Sequence, residues 1–490
     1  MRKLPAITRQ QWLVILVCCL LMVLISFQLP GITPFASARD YDLVILNGRV
    51  IDPESKLDSI RHIGITRGTI QAISTNTLCG RTTIDARGLV VSPGFIDLHQ
   101  HGQDQENYQY KAMDGVTTAL ELEYGTADVD PWYAEREDKA LVNYGVSVGH
   151  MPVRMNVMRE SDSSANTGDA AHRAASEGEI EEMKRQIEHG LKRGAVSVGF
   201  IIGLTPGASR WEILEMFRVA ARFGAPCHVH IRDGDEQEAL EEVIAAAETT
   251  GASVHVVHLS SGAVGIGSAR RLLEMIGKAQ SRGLDVTTET YPYGASMARI
   301  ESLLFDDWQS WPDSDFTKLQ WVATGERLTK ESFKRYRETG GWVVNHQTPP
   351  DVVDAVVASP LTMIASDGLL QNGKGHPRTC GTYSQILGQY VREMKTLTLM
   401  AALRKMTLMP AQRLERRVPA MKSKGRIRVG ADADLTVFDP ERVIDKATYQ
   451  EAAKYSEGIK YVLVSGVLVV KDGQLQDRGA PGRPVRAPLQ

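Results

Sequence analysis

The sequence predicts a (β/α)₈ barrel with a small β-sandwich domain formed by its N- and C-terminal sections. Short apolar strands alternate with amphipathic helices through the middle of the chain, and strand-rich sections lie on either side of that region. Histidines or acidic residues follow several of the apolar runs. With 490 residues, 43% of them hydrophobic and 23% charged, the chain is long enough to bury a large core.

Residues 1–38 are predicted to be a targeting segment rather than part of the fold. Arg2, Lys3 and Arg9 precede an apolar stretch over residues 12–27, and Ala36-Ser37-Ala38 matches a cleavage pattern. This predicts a secretory signal peptide or, alternatively, an uncleaved N-terminal membrane anchor. The folded part is therefore expected outside the cytoplasm, either exported to the periplasm or medium or anchored to a membrane.

Charge and cysteine content exclude other classes of protein. The formal net charge is −3, and no basic patch suggests a nucleic-acid partner. Outside the targeting segment only Cys79, Cys227 and Cys380 remain, an odd and scattered set without a disulfide framework. Stability must therefore come from the core.

Two strand-rich sections, residues 39–92 and 421–480, are expected to pair into one β-sandwich. The first contains short strands at 42–46, 49–51 and 60–65 separated by turn residues, and strands return at 435–438 and 461–470. Residues 481–490 are predicted to be a tail.

Residues 93–420 are predicted to form the barrel. One helix carries Ile180, Met183, Ile187 and Leu191 on a single face, and another begins at a capping box over residues 209–212. The predicted strands are 95–99, 117–123, 146–150, 196–201, 226–230, 254–258, 285–290 and 361–366. Residues 297–353, rich in tryptophan, are long for a connection. They form either a cover over the site or an ordinary insertion with core tryptophans.

His99 and His101 are the most informative residues of the chain. They end the apolar run that begins at Phe95, and side chains at i and i+2 of a strand point to the same side. Both imidazoles can therefore hold one metal ion. Such a pair alone is weak evidence, because solvated or core histidines are more common.

Three further residues come at the ends of later predicted strands. His230, His258 and Asp367 each follow an apolar run, and the active sites of (β/α)₈ barrels lie at the C-terminal ends of their strands. Four imidazoles and one carboxylate would then meet at one mouth, which suits a catalytic zinc site.

These residues lie in motifs that resemble the amidohydrolase superfamily, and within it the D-aminoacylase or N-acyl-D-amino-acid deacylase branch. The resemblance spans nearly the whole mature chain. Its motifs are Ser92-Pro93-Gly94-Phe95-Ile96-Asp97-Leu98-His99-Gln100-His101, Asp114-Gly115-Val116-Thr117-Thr118, His230-Ile231-Arg232, Tyr291-Pro292-Tyr293, His376-Pro377-Arg378 and Gly430-Ala431-Asp432-Ala433-Asp434-Leu435.

The resemblance implies a metal-dependent hydrolase with one or two divalent ions, expected to be zinc. This resemblance also implies that His99 and His101 belong to one metal position and that His230 and His258 belong to the other. Asp367 would take a proton from the attacking water and pass it to the leaving nitrogen.

The chain departs from this branch at the residue expected to bridge the metals. The branch uses a cysteine after the Gly-Val-Thr-Thr strand, but Tyr124 stands at that place, and the fourth strand has no lysine to be carboxylated. Glu121 and Glu123 alternate onto one face, and Glu123 is nearer the C-terminal end of the strand. We therefore predict Glu123 as a metal ligand, with a structural salt bridge as the alternative.

Arg378, Tyr291, His376 and Ser260 are the predicted substrate-binding residues. Arg378 is suited to hold a carboxylate in a bidentate manner, and Tyr291 to donate its hydroxyl near the scissile group. A structural role remains open for both. Ser260 stands where the branch usually has a lysine that helps to hold the substrate carboxylate.

The expected activity is hydrolysis of N-acyl-D-amino acids or related linear amides. The expected partner is therefore a small molecule, with possible membrane attachment through the N-terminal segment. The alternatives are a cyclic-amide hydrolase of the dihydroorotase or hydantoinase type and a non-catalytic scaffold with the same fold. Retention of the four histidines and Asp367 argues against the scaffold. Oligomeric state, native metal and exact substrate are left open by the sequence.

Overall fold

A computed structural model describes residues 41–160, 167–477 and 479–490, so the predicted targeting segment lies outside the described residues. Within these ranges, no helix combines the length and the apolar composition that a membrane crossing requires. The strands are, in chain order, β1 (Tyr41–Asp52), β2 (Leu57–Thr66), β3 (Thr69–Ser74), β4 (Gly80–Asp85), β5 (Val90–Pro93), β6 (Phe95–Asp97), β7 (Val116–Thr126), β8 (Asn143–Gly149), β9 (Val198–Ile201), β10 (Cys227–His230), β11 (Val254–Val256), β12 (Val286–Thr290), β13 (Ser296–Arg299), β14 (Leu319–Trp321), β15 (Trp342–Asn345), β16 (Thr362–Ile364), β17 (Leu370–Gln371), β18 (Lys374–Gly375), β19 (Leu435–Phe438), β20 (Ile459–Val464), β21 (Val467–Lys471) and β22 (Gln474–Leu475).

The helices follow the strands of the middle region and continue beyond the last of them. They are α1 (Gln105–Met113), α2 (Val129–Ala134), α3 (His150–Val157), α4 (Asp169–His172), α5 (Glu177–Lys192), α6 (Arg210–Arg222), α7 (Glu236–Thr250), α8 (Leu259–Gly262), α9 (Ile266–Ser281), α10 (Asp313–Phe316), α11 (Lys330–Thr339), α12 (Pro350–Ala358), α13 (Arg378–Gln385), α14 (Leu399–Met406) and α15 (Leu408–Leu414). A π-helical turn (Ile386–Glu393) continues α13.

The middle of the chain forms the predicted barrel. Strands β6 to β12 and β16 pair in sequential order as one parallel eight-stranded sheet, which confirms all eight predicted strand positions to within a few residues. Hydrogen bonds bring the two edges together. The Asp367 amide donates to the His99 carbonyl at 2.7 Å, and the Ser366 amide donates to Asp97 Oδ1 at 3.0 Å. The loops that carry His99 and Asp367 are thereby held side by side.

The two terminal sections pair as predicted. Strand β19 lies antiparallel to β5, with Leu435 opposite Pro93, and a single nine-stranded sheet joins β1 to β5 with β19 to β22. Its buried core draws apolar side chains from both sections, including Ile45, Ile63 and Leu463.

The predicted capping box at the start of α6 forms only in part. Ser209 accepts a hydrogen bond from the Glu212 amide at 3.1 Å, as expected. The Glu212 carboxylate does not return to Ser209, because it is buried against His150 at 2.7 Å and also pairs with Arg154. A buried ion pair thus replaces the second half of the capping box.

Both interpretations of residues 297–353 hold in part. Strands β13, β15 and β14 form a small antiparallel sheet, and Trp308 and Trp311 pack with Phe316 and Phe333 in the core of this insertion. A turn of the insertion (Leu303–Phe305) also contacts the turn that follows the fourth barrel strand. The insertion therefore has its own core and extends toward the mouth of the barrel.

Residues 481–490, predicted as a tail, pack against the barrel. The Val485 amide donates to the Tyr144 carbonyl at 2.7 Å, and the Tyr133 hydroxyl donates to the Val485 carbonyl at 2.7 Å. Val485 and Ala487 are buried. Since Tyr144 lies near the beginning of β8, the segment covers part of the N-terminal end of the barrel.

Candidate metal centre

The six predicted metal-site residues meet at one mouth of the barrel. His99 and His101 follow β6, Glu123 lies in the second half of β7, and His230 is the last residue of β10. His258 and Asp367 follow β11 and β16. Two groups of three offer ligand atoms within 4.8 Å of one another, namely His99, His101 and Asp367, and Glu123, His230 and His258.

Glu123 lies between the two pairs of imidazoles. Its Oε2 atom is 3.2 Å from His99 Nε2 and 3.3 Å from His101 Nε2. Its Oε1 atom is 3.2 Å from His230 Nδ1 and 3.1 Å from His258 Nε2. Each carboxylate oxygen therefore faces one pair of histidines, which is the arrangement that a carboxylate shared between two metal positions requires.

Asp367 completes the first group of three. Its Oδ1 atom is 3.2 Å from His101 Nε2, 3.5 Å from His99 Nε2 and 2.9 Å from Arg378 Nη2. The backbone of Asp367 is left-handed, with φ of 51°, and His258 has φ of 32°. This conformation costs energy in residues other than glycine, and the surrounding structure can hold such strain at a functional site.

The charges of the site suit a divalent cation. Burial disfavours a charged His99, but the nearby carboxylates of Glu123 and Asp367 outweigh it and raise the pKa of His99 well above its usual value. Burial likewise opposes an ionised Glu123, yet His99 and the other imidazoles hold its pKa well below the usual range. Protons on His99, His101 and His230, whose pKa values are raised, thus balance the carboxylates, whereas burial lowers the pKa of His258. A dication can replace those protons, and imidazole nitrogens with carboxylate oxygens are donors that zinc accepts.

The second ring nitrogen of three histidines is held by the protein. His99 Nδ1 lies 2.7 Å from Glu289 Oε1, His101 Nδ1 lies 2.7 Å from Glu121 Oε2, and His258 Nδ1 lies 2.9 Å from the Ser261 hydroxyl. A carboxylate at Nδ1 keeps a proton there and leaves Nε2 free to coordinate a metal.

This arrangement distinguishes the two glutamates that the sequence left as candidates. Glu121 lies behind His101, and its second oxygen accepts a hydrogen bond from the Tyr124 amide at 3.1 Å. Glu123 faces all four imidazoles. The geometry therefore favours Glu123 over Glu121 as the residue between the two positions. None of the three cysteines in the described ranges belongs to either group of candidate ligands.

Arg378 and Tyr291 lie beside Asp367 with unused hydrogen-bonding atoms. The guanidinium of Arg378 is 4.5 Å from the centre of the Tyr291 ring, and both side chains are buried. Among the described residues, Arg378 Nε and Nη1 and the Tyr291 hydroxyl have no hydrogen-bond partner. Burial raises the pKa of Tyr291 to about 12, so the hydroxyl keeps its proton at neutral pH. Buried donors without acceptors are uncommon and call for a ligand or water.

His376 and Ser260 have their polar atoms occupied by the protein. His376 Nε2 lies 2.9 Å from the Ala295 carbonyl, and Nδ1 accepts a hydrogen bond from the Arg378 amide at 3.0 Å. The Ser260 hydroxyl is buried 2.7 Å from the Thr290 hydroxyl. These contacts suit residues that position the Arg378 loop and the C-terminal end of β12, and they leave a direct role in substrate binding without support from the geometry.

Sequence reasoning did not find Glu289 and His255. Glu289 is buried in β12 and lies between His99 and His255, whose Nε2 is 3.0 Å from Glu289 Oε2. Burial favours a neutral Glu289, but hydrogen bonds from His255 and His99 lower its pKa to about 2. The available signal was an acidic residue within a predicted buried strand, which a packed core tolerates only when it is paired.

A family profile described as the amidohydrolase family matches residues 82–470. The chain belongs to the amidohydrolase family. Within it, the chain belongs to the D-aminoacylase branch that the sequence motifs indicated. It is 31% identical to the N-acyl-D-glutamate deacylase of Alcaligenes xylosoxydans xylosoxydans over 91% of this chain and 96% of that protein. It is 28% identical to the D-aminoacylase of the same organism over 89% of this chain and 95% of that one.

A solved structure also supports the assignment of this amidohydrolase to the D-aminoacylase branch. The N-acyl-D-glutamate deacylase of Bordetella bronchiseptica, complexed with zinc and a phosphonate mimic of the tetrahedral intermediate, superposes with a TM-score of 0.79. The two chains are 28% identical, and the match covers 91% of this chain and 100% of that one.

Proposed function

We propose that this amidohydrolase is a zinc-dependent deacylase of N-acyl-D-amino acids or closely related linear amides. The observation that carries the proposal is the position of Glu123, whose two oxygens each face one pair of histidines, next to Asp367. Relatives named N-acyl-D-glutamate deacylase, D-aminoacylase and N-acyl-D-aspartate deacylase support the substrate class.

Two groups of residues would hold the metal. His99, His101 and Asp367 form one position, His230 and His258 the other, and Glu123 lies between them. A bound divalent ion would polarise the amide carbonyl and lower the pKa of a water molecule toward 7. Zinc in the Bordetella bronchiseptica relative supports the choice of metal.

Asp367 is the proposed proton carrier. Burial raises its pKa, but Arg378 and then His99 outweigh burial and lower the pKa, so the carboxylate is ionised, which is the form that accepts a proton. Returning this proton to the leaving nitrogen is essential, because an amide anion is a very poor leaving group. The ion pairs that Asp367 forms with His99, His101 and Arg378 all involve its Oδ1 atom. Its Oδ2 atom is therefore the one available to carry the proton.

Arg378 and Tyr291 are the proposed substrate-binding groups. A guanidinium with two unused nitrogen donors is suited to a substrate carboxylate, and Arg–carboxylate pairs are among the strongest hydrogen-bonded pairs in proteins. The Tyr291 hydroxyl, buried beside Asp367, is suited to donate to the oxygen of the scissile amide.

The cyclic-amide alternative has weaker support. The dihydroorotase of Solibacter usitatus is 27% identical, but the match covers 54% of this chain and 63% of that protein. A hydantoinase structure matches at 19% identity with a TM-score of 0.61, which concerns the fold alone. The scaffold alternative is opposed by the complete set of six candidate ligands.

The test is metal analysis combined with a hydrolysis screen. The full chain, loaded with zinc and freed of excess metal, is assayed on N-acetyl-D-glutamate, N-acetyl-D-leucine, their L-enantiomers and dihydroorotate. We expect bound zinc and turnover of D-substrates. Turnover restricted to the cyclic amide, or a zinc-loaded protein that is inactive on the whole panel, would contradict the proposal.

A further inference from the structure

A second concave site lies at the end of the barrel opposite the metal centre. It is a cavity of about 610 Å³ lined by residues that precede or begin β10, β11 and β12, among them Pro226, Ser253 and Asp285. Its other wall is formed by residues of α14, α15 and the segment after them. Because the metal centre lies at the C-terminal ends of the strands, a ligand in this cavity cannot be the substrate undergoing hydrolysis.

The lining of this basal cavity is strongly cationic. Five of its residues are positively charged and two are acidic, which leaves an excess of three positive charges. The cations are Arg404, Arg413, Arg416, Arg417 and Lys422, and the acids are Asp285 and Glu415. Glu415 is also paired with Arg426, a residue outside the lining, at 3.0 Å. Its charge is therefore shared with a sixth cation.

Two of the buried arginines lack full compensation. The side chain of Arg413 is 2% exposed and pairs with Asp285 at 2.5 Å, but its Nε and Nη2 atoms have no partner among the described residues. Burial lowers the pKa of Arg413, which reflects the cost of keeping its charge there. Arg417 is buried as well and donates to neutral carbonyls, including those of Leu191 and Ala195.

The remaining three cations are exposed at the cavity and have no ion pair of their own. Arg416 does interact with Asp285, whose pKa it helps to lower, but that carboxylate is already paired with Arg413. In the described part of the chain, Arg404, Arg416 and Lys422 form no ion pair. Elsewhere on the surface exposed arginines and lysines commonly face an acidic partner, as Arg185 faces Glu182 and Lys278 faces Glu274. A concave surface lined by charges of one sign concentrates counter-ions.

We propose that the basal cavity binds a small multivalent anion that carries phosphate or carboxylate groups. The volume is in the range of small-molecule sites, roughly 300–1,000 Å³. Arginine forks match the geometry of both groups, and an anion with two or more charges offsets the positive excess that a single chloride leaves. The ligand stabilises the barrel from its N-terminal end.

Isothermal titration of the full chain with pyrophosphate and with citrate tests this proposal. Both anions also chelate zinc, so the titration is run on the zinc-loaded and on the metal-free chain, and only binding that both forms show is assigned to the basal cavity. The variant is Arg404→Gln combined with Arg416→Gln, and the matched control is Arg270→Gln combined with Lys334→Gln, two exposed cations on helices away from the cavity. We expect a dissociation constant below about 1 mM at low salt, at least about tenfold weaker binding in the variant, and no change in the control.

Thermal unfolding separates a binding role from a structural one. If the arginines repel one another in the absence of an anion, the Arg404→Gln/Arg416→Gln variant unfolds at the same or a higher temperature than the parent without added anion, and it loses the stabilisation that pyrophosphate gives the parent. A variant that is less stable without anion and equally stabilised by it would overturn the proposal.

Two other outcomes also decide against it. Equal binding by the variant and the control, or binding that vanishes at about 0.15 M NaCl, indicates an adventitious ion only. Binding to phosphatidylglycerol vesicles that requires Arg404 and Arg416, without binding of pyrophosphate or citrate, assigns the cavity to lipid headgroups instead of a small anion.

Discussion

Replacing Glu123 with glutamine tests the centre of the proposed site. The amide keeps the volume but removes the charge that four imidazoles surround at 3.1 to 3.3 Å. At that distance, a pair of unit charges in an effective dielectric of about 20 is worth roughly 5 kcal/mol. The amide oxygen recovers part of this interaction, so we expect zinc affinity to fall by at least about 10²-fold, or roughly 3 kcal/mol.

The assay measures zinc stoichiometry, zinc affinity by chelator competition, and kcat/KM on the preferred N-acyl-D-amino acid. Two controls separate charge loss at the site from general effects. Glu121→Gln should weaken zinc binding less, by about 10- to 100-fold, because Glu121 acts through His101. Glu215→Gln removes a buried carboxylate paired with Lys184 and Arg218, away from the site, and should leave zinc binding unchanged.

Full zinc occupancy and near-normal turnover in Glu123→Gln would refute the reasoning. If only the Glu121→Gln substitution abolished zinc binding and turnover, Glu121 would be the residue between the two metal positions. Loss of zinc in the Glu215→Gln control would show instead that metal binding follows overall stability.

Asp367→Asn should keep most of the metal, because the amide is nearly isosteric and the group of Glu123, His230 and His258 stays intact, while kcat falls by roughly 10²-fold or more; near-normal turnover would place the base elsewhere. Arg378→Lys keeps the charge but loses the fork, so KM should rise for N-acyl-D-amino acids and stay constant for a decarboxylated analogue, whereas equal losses on both would indicate a structural role. Glu289→Gln should weaken zinc binding by about 10- to 100-fold, measured by chelator competition. In the metal-free protein, Glu289 has its pKa depressed to about 2, so its contribution to stability is present above its usual 4.5 and is lost as pH falls toward 2. The difference in urea midpoint between parent and Glu289→Gln should therefore be largest near pH 6 and shrink in acid; a constant difference would contradict the pairing.

The barrel and the side chains that meet at its mouth could be predicted because each signal is local. A strand followed closely by His99 and His101 is visible within ten residues, and the order of His230, His258 and Asp367 along the chain follows the order of the strands. Parallel pairing in sequential order then brings the strand ends together without further information.

The parts that sequence reasoning missed depend on contacts between distant segments. The tail was not expected to pack, because its partners at Tyr144 and Gly194 are hundreds of residues away in sequence. The motif that contains Ser260 gives no sign of its hydrogen bond to Thr290 on the neighbouring strand, which determines the orientation of its hydroxyl. Neither contact leaves a periodic or compositional signal.

The interior of the barrel also holds contacts that no local sequence pattern indicates. There, a chain of hydrogen bonds runs from Thr287 through His255 and Glu289 to His99 at the metal centre. Thr287 Oγ1 lies 2.8 Å from His255 Nδ1, His255 Nε2 lies 3.0 Å from Glu289, and Glu289 lies 2.7 Å from His99 Nδ1. Burial lowers the pKa of His255, so its ring is neutral and carries one proton. The Glu289 carboxylate can only accept, and it therefore places that proton on His255 Nε2 and another on His99 Nδ1. His255 Nδ1 must then accept from the Thr287 hydroxyl, and His99 Nε2 is left to coordinate a metal. The tautomer of a proposed ligand is thus determined by three residues that belong to none of the recognisable motifs.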